Sequence, residues 1–265
     1  MPTRKDTPAT AVERALGILE VVSRRSDGLT NSEISRKLGI PKSTASYILR
    51  CLERRRYLQR GSGNGKYRLG LKVLDLGHGV LQGLDLRVLA RPFLHALVQR
   101  VNLTAHLAIL EHGEAVYIER VEAPGFIRMN TWVGRRMYIH STSIGKSLVA
   151  FRRRAEVEAI LAEHGLQKRT PKTITVAAKF LRDLEKVRAQ GFAIDDEENS
   201  VGVRCLGAPV FNAMGEVEAA VGISGTVAQV NQSTLPKYVE AVKEAARRIS
   251  AQLGYSAHSP SPHRS

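Results

Sequence analysis

The tightest constraint on this chain is local: between Leu29 and Leu52 two short helices are written together with their caps. Thr30 can N-cap a helix, and Glu33 three residues later completes a capping box in which each side chain accepts the other's backbone N–H. Ile34 and Leu38 fall on one face, and Gly39 supplies the break. Pro41 suits the first turn of a second helix, where its missing N–H has no partner to lose. Ala45, Ile48, Leu49 and Leu52 then follow i, i+3, i+4, i+7 and make one apolar face. The opposite face carries Ser43, Ser46, Tyr47, Arg50 and Arg54, with Thr44 beside them and Lys42 at the entry. A capped helix, a glycine turn and a polar-faced second helix form a helix-turn-helix. A small helical hairpin with a solvated basic face fits these residues as well.

The segment after the second helix narrows the choice. Tyr57–Arg60 and Lys66–Leu69 read as short strands around Gly61-Ser62-Gly63-Asn64-Gly65, a β-hairpin directly behind that helix. That is the position of the wing in a winged helix-turn-helix, with Arg60, Lys66 and Arg68 as phosphate contacts. Charge agrees: residues 1–69 hold 15 Lys/Arg against 6 Asp/Glu, so +9 of the formal +15 sits in about a quarter of the chain. Such asymmetry favours a polyanion partner through attraction to phosphates and release of their counterions.

Outside these segments the chain reads as a first helix of the same DNA-binding domain and, beyond it, a second domain. Val12, Ala15, Leu16, Leu19 and Val22 predict a helix over 10–25, after nine polar residues expected to be disordered. Leu71, Leu74, His78 and Leu81 mark a helix over 70–87 suited to self-association, or to burial within a domain. Ala90, Phe93, Leu94, Leu97, Val98 and Val101 give a clean amphipathic helix. Strands are predicted at Thr104–Leu110 and Ala115–Val121, joined at His112-Gly113-Glu114, and a third at Ile127–Val133. Helices are expected at 143–151, 154–163 and 175–190, strands at 204–211 and 217–224, and a last helix at 235–253. Strand runs interrupted by helices imply an α+β domain around an antiparallel sheet. Cys51 and Cys205 alone cannot build a disulfide framework or a zinc site, and no metal or cofactor is expected. No apolar run approaches the roughly 18 residues of a membrane span, and no secretory signal is evident, so a cytoplasmic location is expected.

Several blocks now resemble the IclR family of bacterial transcriptional regulators. They are Leu38-Gly39-Ile40-Pro41-Lys42-Ser43-Thr44-Ala45; Gly134 with His140-Ser141-Thr142-Ser143-Ile144-Gly145-Lys146; and Asp195-Asp196-Glu197-Glu198 with Gly202, Cys205, Ala208-Pro209-Val210, Gly215 and Ile223-Ser224-Gly225 behind it. The resemblance implies a winged helix-turn-helix over 10–69 (mostly α with a β-wing), a linker helix over 70–87, a GAF-like effector-binding α+β domain over 88–255 and a disordered tail over 256–265. It further implies action as dimers or tetramers. Two departures stand out: Arg56 where glycine commonly separates recognition helix and wing, and Ser46-Tyr47 in place of a frequent His-Arg pair.

On this reading the DNA-facing set is Thr30, Lys42, Ser43, Thr44, Ser46, Tyr47 and Arg50, with Arg60, Lys66 and Arg68 on the wing. Arg50 is expected to read sequence, while Lys66 acts on phosphates. The resemblance places the effector between the sheet and the helix that begins near Ser143. The expected effector set is Ser143, Ile144, Asp195, Cys205, Gly222 and Ser224, and the expected ligand a small organic acid. Val217, Ala219, Val221 and Ile223 should share one strand face, Gly222 and Ser224 the other. Gly222 stands where some members have a ligand-binding serine, which suggests added space and a bulkier effector. The acidic run 195–198 otherwise reads as a solvated loop, and His140 as a loop-ordering partner. For Lys146 an anion contact and plain surface exposure both stand open. A constitutive DNA binder with an unresponsive sensor domain is the alternative. An enzyme built on Cys205 and His140 lacks an oxyanion motif and an orienting third residue, and none is expected.

Overall fold

The computed structural model describes residues 8–61, 65–76, 85–125 and 128–256. The chain forms two compact units, residues 1–83 and 84–265, each with an apolar core of its own.

In the first unit, helices α1 (Pro8–Ser23), α2 (Asn31–Leu38) and α3 (Lys42–Arg54) precede strands β1 (Leu58–Arg60) and β2 (Tyr67–Leu69). Helix α1 starts at Pro8, so the disorder expected through residue 9 does not hold for its last two positions. The capping box is present: the Thr30 N–H donates to Glu33 Oε2 at 2.7 Å, and the Glu33 N–H to the Thr30 hydroxyl at 3.3 Å. Gly39 is left-handed (φ 62°). Pro41 occupies the N-cap of α3 rather than its first turn. Ala45, Ile48, Leu49 and Leu52 are the buried residues of α3, and Ile48, Leu49 and Leu52 pack with Ile18, Val22, Ile34, Leu58 and Tyr67. Strands β1 and β2 pair antiparallel through Leu58–Leu69, Gln59–Arg68 and Arg60–Tyr67. Residues 62–64 of the predicted wing turn lie outside the described residues. Arg56 links α3 to β1 with φ 63°, a left-handed backbone that costs an L side chain energy. The chain cannot relax there, because the Arg56 carbonyl lies against Gly70, where a Cβ would come within 2.2 Å of it.

The predicted helix over 70–87 is helical at residues 72–76, and most of its remainder, 77–84, lies outside the described residues. So do residues 257–265 of the expected tail. The second unit opens with α4 (Asp85–Val101). Its sheet has the order β5-β4-β3-β8-β7-β6, and every neighbouring pair is antiparallel. The strands are β3 (Thr104–Glu111), β4 (Glu114–Val121), β5 (Arg136–Met137), β6 (Ala193–Asp196), β7 (Val203–Phe211) and β8 (Val217–Thr226). Helix α4 and the last helix, α8 (Leu235–Gln252), cover one face, burying Leu94, Leu97, Val242 and Ile249 against Leu107, Leu206, Val221 and Ile223. Helices α5 (Ser143–Val149), α6 (Arg154–His164) and α7 (Ala177–Gln190) cover the other with Leu148, Val157, Phe180 and Leu184.

Three strand expectations are corrected. No strand forms at 128–133, and Ile127 lies outside the described residues; a turn closed by the Arg135 N–H on the Trp132 carbonyl (3.1 Å) delays pairing until Arg136–Met137. Asp195 and Asp196 are not a solvated loop but end strand β6, and Asp195 is buried. Val217 leaves the face of Ala219, Val221 and Ile223, because a register shift at Val210/Phe211 turns it toward the opposite core.

Between α5, α7 and the end of β6 the core is ionic. Lys146 is 1% exposed, and its Nζ meets Glu198 Oε1 at 2.6 Å, Asp183 Oδ2 at 2.8 Å and the Ile194 carbonyl at 3.1 Å. It is not a surface lysine, and the anions it contacts are carboxylates of the chain itself. Burial pushes the Glu198 carboxyl up against the opposing pull of the Lys146 ammonium, so each charge there depends on the other. Lys146→Ala should therefore lower the stability of this unit by about 3–5 kcal/mol, read by denaturant unfolding; a loss no larger than a surface lysine's refutes the account. In the first unit Arg56→Gly should relieve the left-handed strain and raise stability by up to about 1 kcal/mol, read as a higher unfolding midpoint. Unchanged or lower stability there counts against it.

Candidate functional site

The exposed face of α3 presents Lys42, Ser43, Tyr47 and Arg50 to solvent, with Tyr47 71% exposed. Thr44 and Ser46 are half-buried on its flanks. Tyr47 is thus a large aromatic left open on a helix whose other face is packed. Thr30 is committed to its cap. On the wing, Arg68 is exposed and Arg60 lies over the Tyr67 ring at 5.7 Å. Lys66 is less free than expected: its Nζ pairs with Asp27 Oδ2 at 2.9 Å, tying the wing to the 26–28 turn.

In the second unit the register sets Asp195, Cys205 and Ser224 in one row across β6, β7 and β8. Two residues further along, Gly207 and Gly222 face each other on the same side of the sheet. A Cβ on Gly207 would come within 2.8 Å of the Ser143 backbone, and one on Gly222 within 2.9 Å of the Ile144 side chain and 2.5 Å of the Leu206 carbonyl. The glycine pair is thus the floor on which the first turn of α5 rests. Beyond that turn a cavity of about 370 Å³ opens, lined by Ser143, Ile144, Asp195, Cys205 and Ser224 among others. Five of the six expected effector residues are brought together. Gly222 is not: it lies beneath Ile144, so it adds no space to the cavity, and the inference of a bulkier ligand loses that support.

The polar groups of the cavity are set by their neighbours. Asp195 Oδ1 accepts the N–H groups of Glu198 (2.8 Å) and Asn199 (3.2 Å), yet burial outweighs these bonds and pushes its carboxyl up to about 7. The Cys205 thiol donates to the Ser224 hydroxyl at 3.2 Å, and burial pushes it up to about 12. A thiol held protonated so firmly is a poor nucleophile. His140 donates its Nε2–H to the Gln167 carbonyl at 3.0 Å, a loop-ordering contact as expected, and burial keeps it below its ordinary value. Thr142 caps α5, its hydroxyl taking the Gly145 N–H at 3.1 Å and its carbonyl the Lys146 N–H at 2.9 Å. The first N–H groups of a helix have no intrahelical partner, and two of those here belong to the cavity-lining residues Ser143 and Ile144.

The wall opposite the strand row was not anticipated. It consists of Tyr117 with Arg128, Asn130, Thr131 and Arg135. Tyr117 faces this way because β4 carries one extra residue opposite Leu107/Ala108, so that Glu119 pairs with Leu107 and Tyr117 with Ala108. Glu119 therefore meets Arg87 of α4 at 3.0 Å, while Tyr117 stacks on His106 at 4.7 Å between ring centroids. The bulge leaves no trace in the alternation of the sequence. The density of arginine over 128–136 is a visible signal, masked by the strand expected over 127–133.

Residues 11–62 match the pattern described as the IclR helix-turn-helix domain, and residues 78–251 that of the bacterial transcriptional regulator IclR C-terminal domain. The chain is 37% identical over 247 residues to the HTH-type transcriptional regulator XynR of Escherichia coli K12, covering 93% of this chain and 98% of that protein. It resembles the crystal structure of IclR from Thermotoga maritima with a TM-score of 0.76 and 32% identity, over 93% of this chain and 100% of the other. An IclR homologue from Microbacterium hydrocarbonoxydans, crystallised in complex with 4-hydroxybenzoate, gives a TM-score of 0.79 at 27% identity over 93% and 100% of the two chains. The capped helix α2, the polar-faced α3 behind it, the hairpin and both domain patterns agree: the chain belongs to the IclR family of helix-turn-helix transcriptional regulators and is not an enzyme.

Proposed function

We propose that this regulator acts in the cytoplasm, binding a pseudo-palindromic operator as a dimer or tetramer and answering to a small organic carboxylate. The cavity carries the ligand reading. Its volume of about 370 Å³ falls within the range of roughly 300–1,000 Å³ usual for small-molecule sites. That is more room than a two- or three-carbon keto acid fills, and the M. hydrocarbonoxydans relative holds an aromatic acid. One acid group of the ligand meets the N–H groups at the start of α5 and the Ser224 hydroxyl. Apolar side chains left open on the first unit supply surface for a second copy: Val12 and Leu16 on α1, and Leu71, Leu74 and Leu76 after the wing. Ligand binding alters DNA affinity only through differential affinity for two arrangements of the oligomer.

Two measurements test this. In DNA-binding titrations Arg50→Ala should relax sequence preference, whereas Arg68→Ala should weaken all sequences alike and reduce the salt slope by about 1. Arg68 replaces Lys66 as the cleaner phosphate probe, because removing Lys66 also breaks its bridge to Asp27. Uniform loss in both variants refutes the division. The second measurement is pH. With Asp195 pushed up to about 7, a bound carboxylate faces a neutral acid below that pH and a second anion above it. Affinity for a carboxylate ligand should be full below pH 7 and fall as pH rises through it, approaching about tenfold per pH unit. Asp195→Asn should flatten the profile. Calorimetric titration showing tighter binding at higher pH would sink this assignment.

A further inference from the structure

The two walls of the cavity differ in charge. On the strand row the one ionisable carboxyl is Asp195, with one oxygen already taken by two backbone N–H groups. On the opposite wall stand two guanidinium groups, Arg128 and Arg135. Among the described residues neither has a carboxylate within ion-pair distance. Arg135, which lines the cavity, lies over the Trp132 ring at 4.8 Å, and Trp132 is 54% exposed. The remaining arginines and acids nearby are paired among themselves: Arg120 with Glu122, and Arg136 with Glu111 and Glu114.

The Arg135 charge reaches deep into this wall. Burial is the main cause that lowers His106 to about 3, and Arg120 and Arg135 add to it. Tyr117 is raised by burial while Arg135 pulls the other way. Aspartates and glutamates ordinarily offset cations placed beside a low-dielectric pocket. Here the exposed Arg128 and the half-buried Arg135 face only Asp195, so that with Asp195 protonated a singly charged ligand leaves one positive charge unmatched and a doubly charged ligand leaves none.

We infer that the effector is a dianion whose second anionic group, a carboxylate or a phosphate, is held by Arg135 and Arg128. The proposal rests on the carboxylate reading of the cavity and adds a second, separate recognition point. The planar guanidinium fork suits either oxyanion, since both accept two parallel N–H bonds. With Arg135 stacked on Trp132, the fork is already oriented, so less rotamer freedom is lost on binding.

Matched probes on the full chain test it by calorimetry: adipate against its monomethyl ester, terephthalate against its monomethyl ester, and 4-phosphonobenzoate to separate phosphate from carboxylate preference. In at least one frame the dianion should bind about tenfold or more tightly than the monoester. In Arg135→Gln, and more fully in Arg128→Gln/Arg135→Gln, that ratio should collapse toward one, while Arg135→Lys keeps part of it. Melting temperatures without ligand check that the variants remain folded. Equal binding of dianions and monoesters, or a preference that survives the double substitution, overturns this inference and leaves the carboxylate reading intact. Binding of none of the acids overturns both.

Discussion

The second unit is arranged around the close approach of a helix to two facing glycines, its backbone at Gly207 and the Ile144 side chain at Gly222. Gly207 and Gly222 leave room for Ser143 and Ile144 to lie directly on the sheet, where any Cβ would meet backbone within 3 Å. Close packing allows such contact only where side chains are missing on one side. With the first turn of α5 seated there, the strand row of Asp195, Cys205 and Ser224 emerges just beyond it and becomes one wall of a cavity. A longer side chain at either glycine would lift the helix and dissolve the site. These residues therefore shape the pocket without lining it.

Charge inside this unit is handled in two contrasting ways. Lys146, Glu198 and Asp183 are drawn together as ion pairs, which locks α5 to α7 and to the turn after β6. That turn is pinned further by Thr170 and Thr173, whose hydroxyls donate to the Glu197 and Glu198 carbonyls at 2.7 Å. Asp195 begins the same turn but keeps a face to the cavity, and its carboxyl sits near neutrality. The ionic cluster lies outside the cavity lining, whereas Asp195 and the two arginines opposite line it. A single β-bulge separates the two outlooks of β4, with Tyr117 turned to the cavity and Glu119 to Arg87 on α4. The cavity wall and the helix that opens the unit thus share one strand.

The first unit was legible almost residue by residue, down to the Thr30–Glu33 box and the four buried positions of α3. Its signals are local: caps, helical period and a glycine stop depend on residues three or four apart. The long helices and strands of the second unit were legible for the same reason. What failed were features set by distant partners. Strand β6 has four residues and exists because β7 pairs with it. Lys146 looked equivocal because its partners lie far along the chain, Asp183 in α7 and Glu198 in the turn after β6. Gly222 looked like space in a pocket because an alternating strand pattern shows which face a residue takes, not what is laid on top of it.

By itself the sequence determined the kind of molecule: a capped, positively charged DNA-reading unit leading into an α+β sensor, with the strand-row residues and helix start of the site already identifiable by resemblance. Only the tertiary structure decided which residues meet. It placed Gly222 beneath Ile144, brought Arg128 and Arg135 against the strand row, and turned Asp195 from an apparent loop acid into a buried group that titrates near 7. The physical reason is the same throughout. Period and capping are carried by neighbours along the chain, whereas burial, close approach and the balance of charge in a cavity are carried by neighbours in space.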